Sequence, residues 1–318
     1  MAQKIIMDCD PGIDDALAIV FAWGHPVLEL LGITTVAGNV SLDKTTANAL
    51  RVCEFIGAAG VPVVAGSPRP LLRLPMTAHG AHGESGLEGA RLPPPASAPR
   101  AGHAVDFLID TIGAAPGEIT LVATGPLTNV ALAVRRQPAL VTQVRDFVIM
   151  GGSAGRGNVT PAAEFNIAAD PEAAAIVFDA GWTVTMMGLD VTLRTRAGAA
   201  VCDRLGALGR LADDLVLPCL TSYATTPGEG GPAVHDVCAL AWLASPGLLD
   251  CMPARVEIET AGRWTAGMTV TDFEAAPAAH NALVATQIDV AGFWDLVIGT
   301  YALVAAAAPR AEPPDAPG

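Results

Sequence analysis

Four aspartates fall within eight residues near the start of the chain, in the run Ile5-Ile6-Met7-Asp8-Cys9-Asp10-Pro11-Gly12-Ile13-Asp14-Asp15-Ala16. An apolar segment leads straight into them, so the carboxylates stand at the end of what reads as a buried strand. Negative charge gathered there is unfavourable unless a positive charge sits among the oxygens. The two lysines of the whole chain, Lys4 and Lys44, are too few to supply it. A divalent cation is the simplest counter-charge. The donors are hard carboxylate oxygens, which suit calcium, magnesium or manganese and not zinc or copper. The run is no EF-hand: counted from Asp8, the sixth position is Ile13 where glycine is needed, and the twelfth is Ile19 where glutamate is needed. Asp14 and Asp15 as caps of the following helix would account for one or two aspartates and leave the others unexplained.

Carboxylates at a strand end require elements that gather strand ends together. Short apolar runs at residues 4–8, 28–36, 61–65, 120–124, 147–150 and 183–187 read as strands, with helix-like stretches between them. Residues 13–24 read as a helix closed by Gly24 and Pro26, and Ser41 is placed to cap a helix running to about Ala58. Asp170-Pro171-Glu172 opens another, with Asp as N-cap and Pro at the first helical position, and Gly181 closes it. This alternation predicts an α/β fold: an open, mostly parallel, twisted sheet with helices on both faces. Two stretches break the rhythm. Residues 66–102 are rich in Pro and Gly and read as a long functional loop. Residues 196–223 read as a small helical lobe over the sheet. Residues 255–260 and 267–270 read as a hairpin around Gly262, and 289–307 as a closing helix. The expectation is one catalytic domain over residues 1–307, then a disordered tail at 308–318, which holds four prolines and no periodicity.

The formal net charge of -14 and pI near 4.7 argue against nucleic acid and anionic membrane surfaces as partners. Six cysteines show no metal-type spacing, and reduced core thiols are expected. The first residues lack the pattern of a secretory signal, and no segment reads as long and apolar enough to span a bilayer. A cytoplasmic location is therefore expected.

Other strand ends repeat the theme of the first. Val36-Ala37-Gly38-Asn39 ends the second strand, and Thr124-Gly125-Pro126-Leu127-Thr128-Asn129 ends a later one. Asn158, Ala163-Glu164-Phe165-Asn166 and Asp170-Pro171-Glu172-Ala173 follow the 147–150 strand. Gly188-Leu189-Asp190-Val191-Thr192 and His235-Asp236 come later. Each is weak alone, since Asn after a strand is commonly a turn residue. Their joint placement matters, because in an open α/β sheet ligands bind beyond the carboxyl ends of the strands.

Taken in order, these motifs resemble the inosine–uridine-preferring nucleoside hydrolases over nearly the whole chain. The resemblance implies a Rossmann-like architecture and hydrolysis of ribonucleosides to ribose and free base, in purine or pyrimidine salvage. It implies a calcium ion held by Asp10, Asp15, Asp236 and the Thr124 carbonyl, with Asp10 also taking a proton from the attacking water. Asp14, Asn39 and Asn166 would hold ribose hydroxyls, and Asn158 and Glu164 the 5′-hydroxyl. His82 and His235 would face the leaving base, and Tyr223 would stack on it or hydrogen-bond to it. A homodimer or homotetramer is implied as well. Asp8 is left as a supporting residue. After His235-Asp236 many relatives have proline where this chain has Val237, which lies outside the implied ligands.

The chemistry suits these residue types. Cleavage of an N-glycosidic bond develops positive charge on the sugar, and nearby carboxylates stabilise it. Three other readings compete. Gly151-Gly152-Ser153-Ala154-Gly155 matches the nucleophile elbow of a serine hydrolase, yet a loop sequence follows where a helix is needed. Asp8-Cys9-Asp10 after a strand suits a phosphotransferase, but no phosphate cradle is evident. A non-catalytic nucleoside-binding protein would keep its substrate intact.

Overall fold

The computed structural model describes residues 2–223 and 230–307. The predicted tail at 308–318 lies outside the described residues. A nine-stranded sheet runs through the molecule in the order β3-β2-β1-β4-β5-β6-β9-β7-β8. The third strand in that order is β1 (Gln3–Cys9), paired in parallel with β2 (Leu28–Thr35) on one side and β4 (Ile119–Ala123) on the other. Beyond β2 lies β3 (Val63–Ala65), and beyond β4 lie β5 (Phe147–Met150) and β6 (Val184–Met187), all parallel. Strand order therefore runs outward in both directions from β1 and β4. A crevice opens where it reverses, above the carboxyl ends of these two strands. The aspartate run leaves β1 at that point, and Thr124 leaves β4 beside it.

The parallel strands are buried on both faces, as their unbroken apolar runs require. Side chains alternate across the sheet. Ile5, Met7 and Cys9 join one core layer, with α1 (Ile13–Gly24) and α2 (Leu42–Phe55). Ile6 joins the opposite layer. In that layer α4 (Ala104–Ala114), which follows the long 66–102 loop and its short α3 (His79–His82), packs with α5 (Thr128–Arg136). Asp170 caps the helix Pro171–Phe178 by accepting from the Ala173 N–H at 3.1 Å.

Four features differ from expectation. The predicted hairpin exists, but β7 (Leu249–Ile258) begins well before it and pairs with β8 (Thr269–Asp272) only in its second half. Its first half pairs with β9 (Ala282–Ile288), a strand the sequence did not announce, which adds parallel to β6. The α2 helix stops at Phe55, because Gly57 takes a positive φ of 79° and turns the chain. The six cysteines are free, but Cys202 and Cys251 are only half-buried.

The fourth difference concerns the closing helix, Val290–Ala307. Contrary to expectation, its alanine-rich sequence is long and apolar enough to cross a bilayer, with a mean hydropathy of 1.6. In the structure one face of it lies along α1. Phe293, Trp294, Val297, Tyr301 and Val304 are buried there, and the Tyr301 hydroxyl donates to the Leu17 carbonyl at 2.9 Å.

Candidate active site

Asp10 follows β1 and is fully buried, held from three sides. Its Oδ2 accepts the backbone N–H of Asn39 at 2.6 Å, and its carbonyl accepts the Asn39 amide at 3.2 Å. Gly38 and Gly125 close around it. A Cβ on Gly38 would lie 2.0 Å from Asp10 Oδ2, and one on Gly125 would lie 2.6 Å from Oδ1. Two strand-end loops thus converge on this carboxylate because both have a glycine at the point of contact. Among the described residues Asp10 Oδ1, like Asp8 Oδ2, is buried and has no hydrogen-bond partner.

Asp14 and Asp15 come from the first turn of α1. Asp15 reaches back to the N-cap residue, its Oδ2 accepting the Gly12 N–H at 3.0 Å and the Asn39 amide at 3.1 Å. Its Oδ1 accepts the Thr124 hydroxyl at 2.9 Å. Asp236 stands at the N-terminus of the helix Val237–Ala244. Oxygens of Asp14, Asp15 and Asp236 lie within 4.8 Å of one another. Asp10 adjoins this trio, with its unpartnered oxygen.

Glu164 caps the helix Phe165–Ala169 and accepts three backbone N–H groups, from Gly152 (2.9 Å), Asn166 (3.0 Å) and Ile167 (3.2 Å). The Asn166 amide donates to the carbonyls of Thr124 (2.7 Å) and Met150 (3.1 Å), joining the ends of β4 and β5. Asn158 Oδ1 accepts the Phe165 N–H at 3.0 Å. His235 Nδ1 is 2.8 Å from the Thr192 hydroxyl. His82, at the end of α3, takes the Ile13 N–H on Nδ1 at 3.0 Å. Its ring is 5.0 Å from that of Tyr223.

These side chains enclose a cavity of about 230 Å³. Asp14, Asn39, His82, Thr124, Asn158, Glu164, Asn166, Tyr223, His235 and Asp236 all line it. Asp10 and Asp15 are fully buried and are not among its lining residues. Met150, Phe165, Pro232 and Ala233 also line the cavity and escaped the sequence reading. Met150 carries a signal in its place at a strand end and Phe165 in its motif between Glu164 and Asn166; Pro232 and Ala233 are loop residues without one. Thr192, the partner of His235, had been singled out only as part of a motif.

The electrostatics are those of a site short of positive charge. Burial, and then the charge of Asp15, push the Asp10 carboxyl well above the usual carboxylate range. Burial, and then Asp14 and Asp15, do the same to Asp236. Burial and the neighbouring Asp14 raise Asp15 to about 7. Burial raises Glu164 to about 7, despite its three N–H donors. Among the described residues the ion-pair contact to this group is His82 Nδ1 with Asp14, at 4.0 Å. Burial lowers His82 to about 4 and also lowers His235, so neither ring supplies a full charge near neutrality. Oxygen donors in this number, with Asp10 Oδ1 lacking a partner among the described residues, fit a hard divalent cation.

Ser153 does not form an elbow. Its Oγ lies 3.3 Å from Asp190 and accepts the Gly155 N–H, and no histidine is among its partners in the described residues. The next helix begins only at Phe165.

Comparison with known proteins agrees with this geometry. The family model described as inosine-uridine preferring nucleoside hydrolase matches residues 5–295. The chain is 44% identical over 302 residues to the pyrimidine-specific ribonucleoside hydrolase RihB of Escherichia coli, covering 93% of this chain and 96% of that protein. It is 43% identical to the pyrimidine-specific ribonucleoside hydrolase RihA of Salmonella schwarzengrund, covering 93% and 97%. Among solved structures, the purine-preferring ribonucleoside hydrolase from Gardnerella vaginalis superposes with a TM-score of 0.89 at 32% identity, covering 95% and 99%. An inosine-guanosine nucleoside hydrolase gives 0.86 at 28% identity, covering 94% and 98%. The strand-end carboxylates, the crevice above β1 and β4 and these matches along nearly the full chain lead to one assignment: the chain belongs to the inosine-uridine preferring nucleoside hydrolase family.

Proposed function

We propose that this ribonucleoside hydrolase uses a calcium ion held by Asp10, Asp15, Asp236 and the Thr124 carbonyl, and Asp10 as general base. The observation that carries the reading is the buried, unpartnered Oδ1 of Asp10 beside the oxygen trio of Asp14, Asp15 and Asp236. A bound cation there supplies Lewis-acid chemistry, fixing vicinal ribose hydroxyls and making a water more acidic.

The chain's own residues do the rest. Asp10 Oδ1 accepts the proton of a water whose oxygen attacks the anomeric carbon. The C–N bond breaks with its electron pair leaving on the base, which then takes up a proton. Positive charge grows on the sugar as that bond lengthens. The Asp14 carboxylate on the cavity wall stabilises it. Asn39 and Asn166 orient the ribose hydroxyls on the aspartate side, and Asn158 and Glu164 hold the 5′-hydroxyl. Asp8 is further back: its Oδ1 accepts the Thr34 hydroxyl at 2.5 Å and the Asn129 amide at 2.8 Å. Its place is behind the site.

The base is held by His82, His235 and Tyr223. Because His82 Nδ1 is occupied by the Ile13 N–H, its remaining proton sits on Nε2, and it donates a hydrogen bond as a neutral ring. A preference for pyrimidine ribonucleosides is supported by curated relatives at 43–44% identity that are named pyrimidine-specific. The same family resemblance supports a homodimer or homotetramer. The test is a panel of purine and pyrimidine ribonucleosides and 2′-deoxynucleosides, read by release of reducing sugar with and without calcium. Ribose and free base are expected from ribonucleosides, fastest with uridine or cytidine, and little from deoxynucleosides. Intact nucleoside recovered after binding would make the protein a binder.

A further inference from the structure

Thr128 and Asn129 end the motif that begins at Thr124, and neither has a part in the chemistry above. Asn129 is fully buried at the start of α5 and uses its whole amide. Its Nδ2 donates to Asp8 Oδ1 at 2.8 Å and to the Thr35 carbonyl at 3.0 Å, while its Oδ1 accepts the Ser67 N–H at 2.8 Å. Each partner leads to a different part of the site. Asp8 precedes Asp10 on β1. Thr35 ends β2, ahead of the turn that presents Asn39. Ser67 starts the long loop that carries His82, and its carbonyl accepts the Ala37 N–H at 3.0 Å. The fit is close: a Cβ on Gly66 would lie 2.3 Å from Asn129 Oδ1. Thr128 secures the same loop a little further on. Its hydroxyl donates to Asp170 Oδ2 at 2.7 Å, and that oxygen also accepts the Leu71 N–H at 2.9 Å.

We propose that Asn129 is a positioning residue for the hydrolysis. It fixes the strand end bearing Asp10, the turn bearing Asn39 and the loop bearing His82 relative to one another, without touching substrate. A primary amide is the group this junction needs. It offers two donors and an acceptor in one plane, whereas aspartate lacks the donors and leucine lacks both. The inference rests on the reaction proposed above.

The test compares Asn129→Ala, Asn129→Asp and the exchange pair Asp8→Asn with Asn129→Asp, each per folded chain by circular dichroism and thermal midpoint. Val130→Ala, a buried core change one residue along α5, is the packing control. Asn129→Ala is expected to lower kcat by about 10- to 100-fold while KM moves far less, since a small displacement of reacting groups has that cost. Asn129→Asp sets two carboxylates against each other and is expected to lose more. Adding Asp8→Asn is expected to restore part of that loss, because the new amide at position 8 can donate to the new carboxylate. A kcat for Asn129→Ala within about twofold of Val130→Ala, the usual additivity error, overturns the proposal. Where Asn129→Ala fails to fold, the exchange pair decides: no recovery of kcat over Asn129→Asp overturns it. A wild-type chain that releases no ribose overturns the reaction itself, and is seen before any variant is made.

Discussion

The backbone N–H of Ile13 donates to His82 Nδ1 at 3.0 Å, so the first turn of the aspartate-bearing helix holds a histidine from 69 positions along the chain. This bond decides which form of His82 exists. Protonating Nδ1 would break it and place a charge in a buried site, although Asp14 lies 4.0 Å away. Burial therefore prevails, and His82 is lowered to about 4.

His82 is accordingly expected to stay neutral from pH 5 to 8. Its folded value lies below the ordinary value of about 6.5, so the unfolded chain binds the extra proton first. Stability attached to this ring is complete above that ordinary value and is lost as pH falls from there toward 4. Proton NMR titration of the His82 ring measures it. A midpoint above 6 in the folded protein would contradict the assignment.

Gly38→Ala is expected to damage catalysis while the sheet survives. The added methyl would stand 2.0 Å from Asp10 Oδ2, so the carboxylate or the turn must move. A displacement of this size at a reacting group costs on the order of 100-fold in rate. Steady-state kinetics beside a thermal melt measures the effect, and an unchanged kcat would show that Asp10 has freedom to shift.

Asp10→Asn keeps an oxygen for the Asn39 N–H but cannot take up a proton. Its kcat is expected to fall by about 10²- to 10⁴-fold, the range for loss of a general base. Asp10→Ala should abolish turnover with the fold kept. Near-normal release of ribose by either variant would refute the role given to Asp10.

Calcium is expected to stabilise the protein more at pH 7.5 than at pH 5. Without a cation, Asp15 and Glu164 are raised to about 7 and Asp8 to about 6, so the folded chain holds protons that the unfolded chain has lost. The apo protein therefore loses stability as pH rises from about 4 through 7. A cation removes most of that loss by neutralising the ionised carboxylates. Scanning calorimetry with chelator and with calcium checks the sign. A calcium-induced rise in Tm that shrinks toward pH 7.5 would argue against a carboxylate-bound ion.

The first third of the site was legible because its signals are local. An apolar run ending in four aspartates, with almost no lysine to balance them, states both the strand and the charge problem. Thr124, Asn39 and Asn166 were legible as strand-end residues because a parallel sheet brings such ends to one edge. What was not legible depends on pairing. The Ala282–Ile288 strand is a short apolar run squeezed between a turn and a long helix, and only its bonds to β6 and β7 define it. The early half of β7 was hidden by Pro253, which is tolerated because that half has a partner strand on one side only. The junction at Asn129 was hidden for a similar reason: each of its contacts is with a distant segment, and no spacing rule records them.

The contact of Tyr301 with Leu17 has a consequence for how the protein is made. Synthesis proceeds from the N-terminus, and the helix bearing Asp14 and Asp15 leaves the ribosome long before the helix that covers it, more than 260 residues later. For most of translation that early helix has a bare apolar flank and a set of carboxylates whose partners at Thr124 and Asp236 do not yet exist. A nascent chain arrested before residue 290 should therefore bind chaperones readily, and release should wait until the helix Val290–Ala307 docks.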